Sequence, residues 1–421
     1  MQPNGRALEA TIVGGGMITY DLLLPSIYHL QRMGVVSQIS ICALNSGPLR
    51  ALKENTDFHE AFPAQDFTPY PAIPEAPDRN FPALYKDVIA AMPTRNVVAV
   101  ALPDHLHYEV IMEALRHDQH VLSVKPLLQK YEQSVEIEKL AATRGLFVGI
   151  EYHKRFDRRS LVAKRSYTLK HFGQFIMGEA KLIEPYYYRF SNFQNWFTPE
   201  WADPFTYIGC HYVDLVYFIT GLKPVEVSVV GIRGKFPNGN EGYLWSHARV
   251  AFENGALLSV INGLGYPDAG PGSNDQCLVM YCEGEGKSAL IEHDDQYRGM
   301  AHCYLQGLGP GGSEYNYVGD FYRLVPWEGA GYRPVGYGFD SVAAIVNTIH
   351  RMENEVVGLP PEAALNRRRA IIQEADAQGI IATPANSFIN VLVVEAARIS
   401  IQNGGAPVKI VYGERPHVEA K

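Results

Sequence analysis

At 421 residues the chain is long enough for two or three domains, or for two sharing one core, and 47% hydrophobic with 19% charged residues is an ordinary globular balance. A net charge of −8 argues against a protein that grips a nucleic-acid backbone, and no run reaches the ~18 apolar residues of a membrane span. The opening MQPNGRALEATIV has no apolar leader core, so no secretory signal is expected. Five scattered cysteines (Cys42, Cys210, Cys277, Cys282, Cys303) fit reduced thiols in a cytoplasmic protein and form no close metal-binding pair.

Leu8–Val13 reads as an apolar strand. It runs into Gly14-Gly15-Gly16-Met17-Ile18-Thr19 and then a helical pattern, Asp21–Met33. Strand, glycine turn and helix is the context in which a glycine motif carries meaning: Gly14 permits the tight turn, and Gly16 lets backbone approach a pyrophosphate at the positive end of the helix. Thr19 stands where a third glycine is usual, so a plain glycine-rich turn stays open as an alternative. The second strand, Gln38–Leu44, ends on Leu44, Asn45 and Ser46 with Arg50 beyond, and no acid is present to hold a ribose 2′-hydroxyl. Asn45 and Ser46 suit a hydroxyl and Arg50 suits a 2′-phosphate, which leaves NAD and NADP both open, with NAD slightly ahead.

Residues 56–82 are rich in Pro, Phe and Asp and read as irregular; Leu84–Met92 reads as a helix. Val97–Leu102 is an unbroken apolar run, as a strand buried on both faces of a parallel sheet requires. Pro103 stops it, Asp104 sits at a helix N-cap position, and apolar residues follow at helical spacing. His120–Val124 is the next strand and ends at Lys125-Pro126. This β-α-β unit brings Leu102, Pro103, His107 and Lys125 to one crevice at the strand ends. A helix, Tyr131–Arg144, and a strand, Leu146–Ile150, complete a dinucleotide domain over residues 1–150 with five or six alternating strands.

Glu151–Arg159 is dense in charge at another strand end, and a helix to His171 follows. From Gln174 onward strand-like runs appear without regular helices between them (Gln174–Ile183, Val225–Ile232, Leu244–Phe252, Ala256–Gly263, Gln276–Tyr281, Lys287–Ile291). They predict a large, mostly antiparallel open sheet in a second α/β domain, 151–421. One helix, Tyr207–Thr220, interrupts it, and Met300–Tyr337 reads as a loop excursion over the site. Helices return at Gly338–Glu353, Pro361–Ala377 and Asn386–Gln402 and are expected to pack back on the first domain, before a last strand, Val408–Tyr412.

The order of these motifs resembles that of the Gfo/Idh/MocA oxidoreductases, relatives of glucose-fructose oxidoreductase and inositol dehydrogenase. The carriers are Gly14-x-Gly16, ALPDHLH (Ala101–His107), HVLSVKP (His120–Pro126), HKRFD (His153–Asp157), GCHYVD (Gly209–Asp214) with Gly221, and VEAARISIQNGG (Val394–Gly405). The resemblance implies a Rossmann domain holding NAD(P), and a homodimer or homotetramer built through the C-terminal sheet. It assigns Lys125 to hydrogen bonding with the reacting hydroxyl or carbonyl, and His211 to acid–base work at that oxygen. Two positions depart from the pattern. Val124 replaces a Glu, which removes a charge partner from Lys125; Tyr207 replaces an Asp, and being four residues before His211 it shares that helix face and can bind substrate or donate a proton.

Each assignment has a plainer alternative. Lys125 is otherwise a solvated lysine, and His211 a core histidine. Asp214, counted with His153, Lys154 and Arg155 among the substrate-binding residues, either orients His211 or forms a plain helix salt bridge, and His107 and Asp104 either touch the cofactor or cap a helix. His153, Lys154 and Arg155 are either a wall for substrate hydroxyls or a solvated charge run. Tyr186–Trp201 is either interface and core packing or a stacking surface for sugar rings. The expected activity is hydride transfer between NAD or NADP and a hydroxyl carbon of a sugar, polyol or glycoside. The alternative is a retained NAD that cleaves a glycosidic bond through transient oxidation, without net redox change. No nucleic-acid, membrane or metal partner is expected.

Overall fold

In the computed structural model, residues 5–269, 274–293, 301–306, 313–317 and 320–420 are described, with 301–306 and 313–317 as backbone only. The chain divides into two compact units. Met1–Leu128, Glu132–His153 and Tyr322–Ser387 form the first; Gln129–Tyr131, Lys154–Phe321 and Phe388–Lys421 form the second.

The first unit is built on β1 (Leu8–Val13), β2 (Val36–Cys42), β3 (Thr68–Tyr70), β4 (Val97–Val100), β5 (His120–Val124) and β6 (Val148–Glu151). All pair in parallel, in the order β3-β2-β1-β4-β5-β6. The order turns back between β1 and β4, where a doubly wound sheet opens a crevice at its strand ends. The residues of β4 and β5 are all buried, which is why β4 reads as an unbroken apolar run and β5 as a largely apolar one. Helices α1 (Leu24–Arg32), α2 (Ser46–Lys53), α3 (Thr56–Ala61), α4 (Leu84–Ala91), α5 (His107–Arg116) and α6 (Tyr131–Arg144) provide the connections.

Several expectations are corrected here. The stretch 56–82 is not wholly irregular: Asn55 caps α3 by accepting from the Phe58 N–H, and Thr68–Tyr70 joins the sheet edge. Asp104 does not cap a regular helix. It opens a single 3₁₀ turn, Asp104–Leu106, and α5 starts only at His107, without a side-chain cap.

In the second unit α7 (Arg158–Thr168) precedes β7 (Gln174–Pro185), the short α8 (Phe193–Trp196), α9 (Cys210–Thr220), β8 (Pro224–Lys235), β9 (Glu241–Phe252), β10 (Leu257–Tyr266), β11 (Asp275–Gly284) and β12 (Lys287–His293). Two hairpins follow: β13 (Ala301–Gln306) with β14 (Ser313–Tyr317), and β15 (Arg323–Pro326) with β16 (Tyr332–Val335), the second of these in the first unit. The expected loop excursion over Met300–Tyr337 is therefore largely hairpin, and its remaining parts at 300, 307–312 and 318–319 lie outside the described residues. The chain continues through α10 (Tyr337–Glu355) and α11 (Pro361–Gln378) in the first unit. It crosses to the second within α12 (Pro384–Gln402) and ends in β17 (Val408–Val411) and β18 (His417–Ala420).

The large sheet runs β12-β11-β7-β10-β9-β8-β17-β18 and is mixed: β7 and β10 are parallel and every other pair is antiparallel. Its strands alternate with period two. Val227, Val229, Val250, Leu258, Val260 and Met280 are fully buried on one face, while Val230, Ile232, Ile261, Tyr281 and Leu290 on the other are about half exposed.

Candidate functional site

In the first unit the site begins at the turn after β1. Gly14 has φ +117°, and a Cβ there would stand 2.0 Å from the Ala101 carbonyl oxygen, so no side chain fits. Its N–H donates to the Cys42 carbonyl at 2.8 Å. Thr19, in place of the third glycine, is fully buried; its hydroxyl donates to the Gly14 carbonyl at 2.7 Å and closes the turn. Gly16 is exposed, with nothing within 4 Å of where its Cβ would be. Met17 and Ile18, both half-buried, lead into a π-helical turn, Thr19–Leu23, that precedes α1. A closed turn beside open glycine backbone at a helix start fits a dinucleotide pyrophosphate.

Leu102 and Pro103, half-buried, leave β4, and Lys125, half-buried, leaves β5. His107 connects the two strand ends. It is fully buried, with Nε2 2.8 Å from the Leu102 carbonyl and Nδ1 2.9 Å from that of Pro126. Burial lowers its pKa, partly opposed by these carbonyls. Lying between these carbonyls, the ring sets the spacing of the Leu102 and Lys125–Pro126 backbones. Val124 pairs in register with Glu151 of β6, which is 1% exposed and lies 2.8 Å from His153 Nδ1. Asn45 caps α2: its Oδ1 accepts from the Gly47 N–H, and its Nδ2 donates to Asn80.

In the second unit Arg155 and Asp214 find each other. Arg155 Nε donates to Asp214 Oδ2 at 2.9 Å and its terminal nitrogen to Oδ1 at 2.5 Å, both residues 1% exposed. Asn390 donates to the same Oδ1 at 2.6 Å. Of the two readings of Asp214, this is the structural ion pair, with a partner outside its own helix. Lys154, also buried, donates to Gln276 Oε1 at 2.7 Å and lies 5.1 Å over the Tyr212 ring.

His211, 4% exposed, lies in the first turn of α9, just after a π-helical turn, Phe205–Gly209. Such turns recur at functional sites. Gly209 is required there because a Cβ would meet Asn262 Oδ1 of β10 at 2.4 Å. Tyr207 is edge-on to Phe193, Trp196 and Phe197 at 5.2, 5.6 and 5.8 Å. The stretch Tyr186–Trp201 thus splits. Phe193 and Phe197 are core, while Tyr186, Tyr187 and Phe190 stay exposed. Reading residue by residue missed Glu151 as the acid facing Val124, although the register of two adjacent parallel strands carries that signal.

Residues 8–152 match the model of the Gfo/Idh/MocA oxidoreductase family, described as having an NAD-binding Rossmann fold. That stretch is the part of the first unit that holds its six-stranded parallel sheet. An uncharacterized oxidoreductase of Schizosaccharomyces pombe is 27% identical over 136 residues, 32% of this chain and 36% of the relative, so the match spans about a third of that protein. The fold extends over nearly the whole chain in solved structures. Myo-inositol 2-dehydrogenase from Lactobacillus plantarum has a TM-score of 0.61 at 17% identity, covering 96% of this chain and 100% of that one. Scyllo-inositol dehydrogenase from Lactobacillus casei, solved with NAD(H) and scyllo-inositol, has 0.59 at 13% identity, covering 96% and 99%.

Proposed function

We propose that the protein is an NAD(P)-dependent oxidoreductase that moves a hydride between the nicotinamide and a hydroxyl-bearing carbon of a sugar or polyol. The observation that carries this reading is the oxidoreductase-type NAD-binding domain over 8–152, with Lys125 at the end of β5. The polyol class draws on the inositol dehydrogenases among the proteins of like fold.

Gly14, Gly16, Met17 and Ile18 hold the pyrophosphate, and Leu102 and Pro103 line the cofactor's path at the switch point. When bound, the nicotinamide supplies the two-electron acceptor or donor. In the oxidative direction Lys125 takes the hydroxyl proton as the carbon–hydrogen bond breaks, and His211 keeps the acid–base role that the resemblance assigns to it. Tyr207, its ring fixed by three aromatic neighbours, binds a substrate hydroxyl. His107 acts indirectly, by holding the Lys125–Pro126 backbone.

The half-exposed Val230, Ile232, Ile261, Tyr281 and Leu290 support self-association through the open sheet face into a dimer or tetramer. The buried thiols of Cys42 and Cys282 support a reducing, cytoplasmic setting. Among the described residues no helix is long and apolar enough to cross a membrane.

The test is mass spectrometry of small molecules released on denaturation, together with absorbance of reduced nicotinamide on a panel of sugars, polyols and glycosides. Substrate-dependent, steady build-up of reduced cofactor is expected. Glycoside cleavage without build-up refutes net dehydrogenation.

A further inference from the structure

We propose that the loop between β3 and α4 selects the 2′-phosphate of NADP(H), with Arg79 as the residue that holds it; this rests on the dinucleotide-binding reading above. In a doubly wound sheet the adenosine ribose meets the end of the second strand, where a carboxylate accepts from the 2′-hydroxyl and repels a 2′-phosphate. Here β2 is followed by Ala43, Leu44, Asn45 and Ser46, none of them acidic, and Leu44 is 52% exposed. Asn45 is engaged at both ends of its amide, by Gly47 and by Asn80.

What covers this turn is the proline-rich segment 71–82, bonded to it almost residue by residue. Ser46 Oγ donates to the Glu75 carbonyl at 2.7 Å, Asn45 Nδ2 to Asn80 Oδ1 at 3.0 Å, and the Phe81 N–H to the Leu44 carbonyl at 2.7 Å. Arg50, the cation that the sequence offers for a 2′-phosphate, is spent as an anchor: its guanidinium donates to the Ile73 carbonyl at 2.8 Å.

Arg79 is placed differently. It lies between Asn80, which bonds Asn45, and the Glu75–Ser46 anchor. Its guanidinium is 4.8 Å over the Phe81 ring, and Phe81 is itself tied to Leu44. The side chain is 63% exposed, and its one ion pair among the described residues is with Glu75, four residues earlier, at 3.0 Å. An exposed pair of this kind contributes little. A phosphate dianion that accepts two parallel N–H bonds from the planar fork outcompetes a single carboxylate contact. The loop thus carries a pre-positioned, solvent-facing guanidinium beside the turn where the ribose is read, and the turn itself holds no acid to exclude the phosphate.

The experiment is calorimetric binding of NADP⁺, NAD⁺, 2′,5′-ADP and 5′-AMP to the full chain, with Arg79→Ala and Leu44→Asp variants checked for unchanged melting temperature. Wild type should bind the 2′-phosphorylated member of each pair roughly tenfold or more tightly. Arg79→Ala should abolish that preference and leave NAD⁺ and 5′-AMP within about twofold. Leu44→Asp should weaken only the 2′-phosphorylated ligands. A wild type that prefers NAD⁺ and 5′-AMP, or an Arg79→Ala variant that keeps the preference, overturns the inference and leaves the dinucleotide reading intact. A chain that binds none of the four overturns both.

Discussion

Glu353 of α10 is a buried charge on which the first unit depends. It is 5% exposed and lies 3.0 Å from His120 Nε2, and Arg368 of α11 grips both its oxygens at 2.7 Å. The Phe147 N–H donates to His120 Nδ1, so the ring proton is on Nε2 and points at the carboxylate. Burial opposes ionisation, but the bonds from His120 and Arg368 override it and hold the Glu353 carboxyl at about 2, against an ordinary 4.5. At ~1.36 kcal/mol per pH unit, that difference is about 3 kcal/mol of folding stability. Because the folded pKa is depressed, this contribution is complete above about pH 4.5 and disappears as pH falls toward 2.

Glu353→Gln keeps the shape and removes the charge. At pH 7 it should cost about 3 kcal/mol, or roughly 6–12 °C in the melting of this unit. The gap between variant and wild type should narrow as pH falls below about 4.5 and close toward pH 2. Denaturant titrations at several pH values measure both. A loss under about 1 kcal/mol at pH 7, or a gap constant across the acid range, refutes the assignment.

The two glycines of the β1 turn should respond differently. Gly14→Ala forces a Cβ onto the Ala101 carbonyl at a positive φ and should destabilise by about 2–3 kcal/mol, read by thermal melting. Gly16→Ala meets open space, so its melting temperature should hold while dinucleotide affinity falls roughly tenfold, read by calorimetry. Asp214→Asn leaves Arg155 buried without its carboxylate and should cost about 3–5 kcal/mol in denaturant unfolding. Lys125→Met should lower kcat by about two to four decades while cofactor affinity, measured by fluorescence titration, stays near wild type. Near-normal turnover removes the proton-transfer role.

The first sheet is legible because parallel strands buried on both faces announce themselves: Leu8–Val13 and His120–Val124 are found at their predicted bounds. The period-two runs of the second unit similarly give β7 to β12 to within a few residues. What escapes is structure without a local period. The segment 71–82 has no regular element, and its position comes from backbone carbonyls and N–H groups bonded to residues near 45, which no side-chain pattern records. The Arg155–Asp214–Asn390 cluster joins residues 59 and 176 positions apart. Gly209, at the end of the π-helical turn before α9, faces Asn262 of another strand, where an added Cβ would lie 2.4 Å from its Oδ1.

The same point bears on the departures from the family's motifs. Taken one residue at a time, Val124 is a lost acid. Across the sheet, Val124 pairs with Glu151, so a buried carboxylate remains at this edge, one strand over and paired with His153. Thr19 at the third glycine position is likewise no simple loss, since its hydroxyl closes onto Gly14 the turn that glycine packing would otherwise tighten. Tyr207 in place of an acid is a different case. It stands edge-on to Phe193, Trp196 and Phe197, which hold the ring through dispersion and quadrupole contacts. A tyrosine at position 207 brings no carboxylate to the face it shares with His211, four residues on. Under the proposed mechanism Tyr207→Phe is expected to raise KM and Lys125→Met to lower kcat, both read from steady-state kinetics.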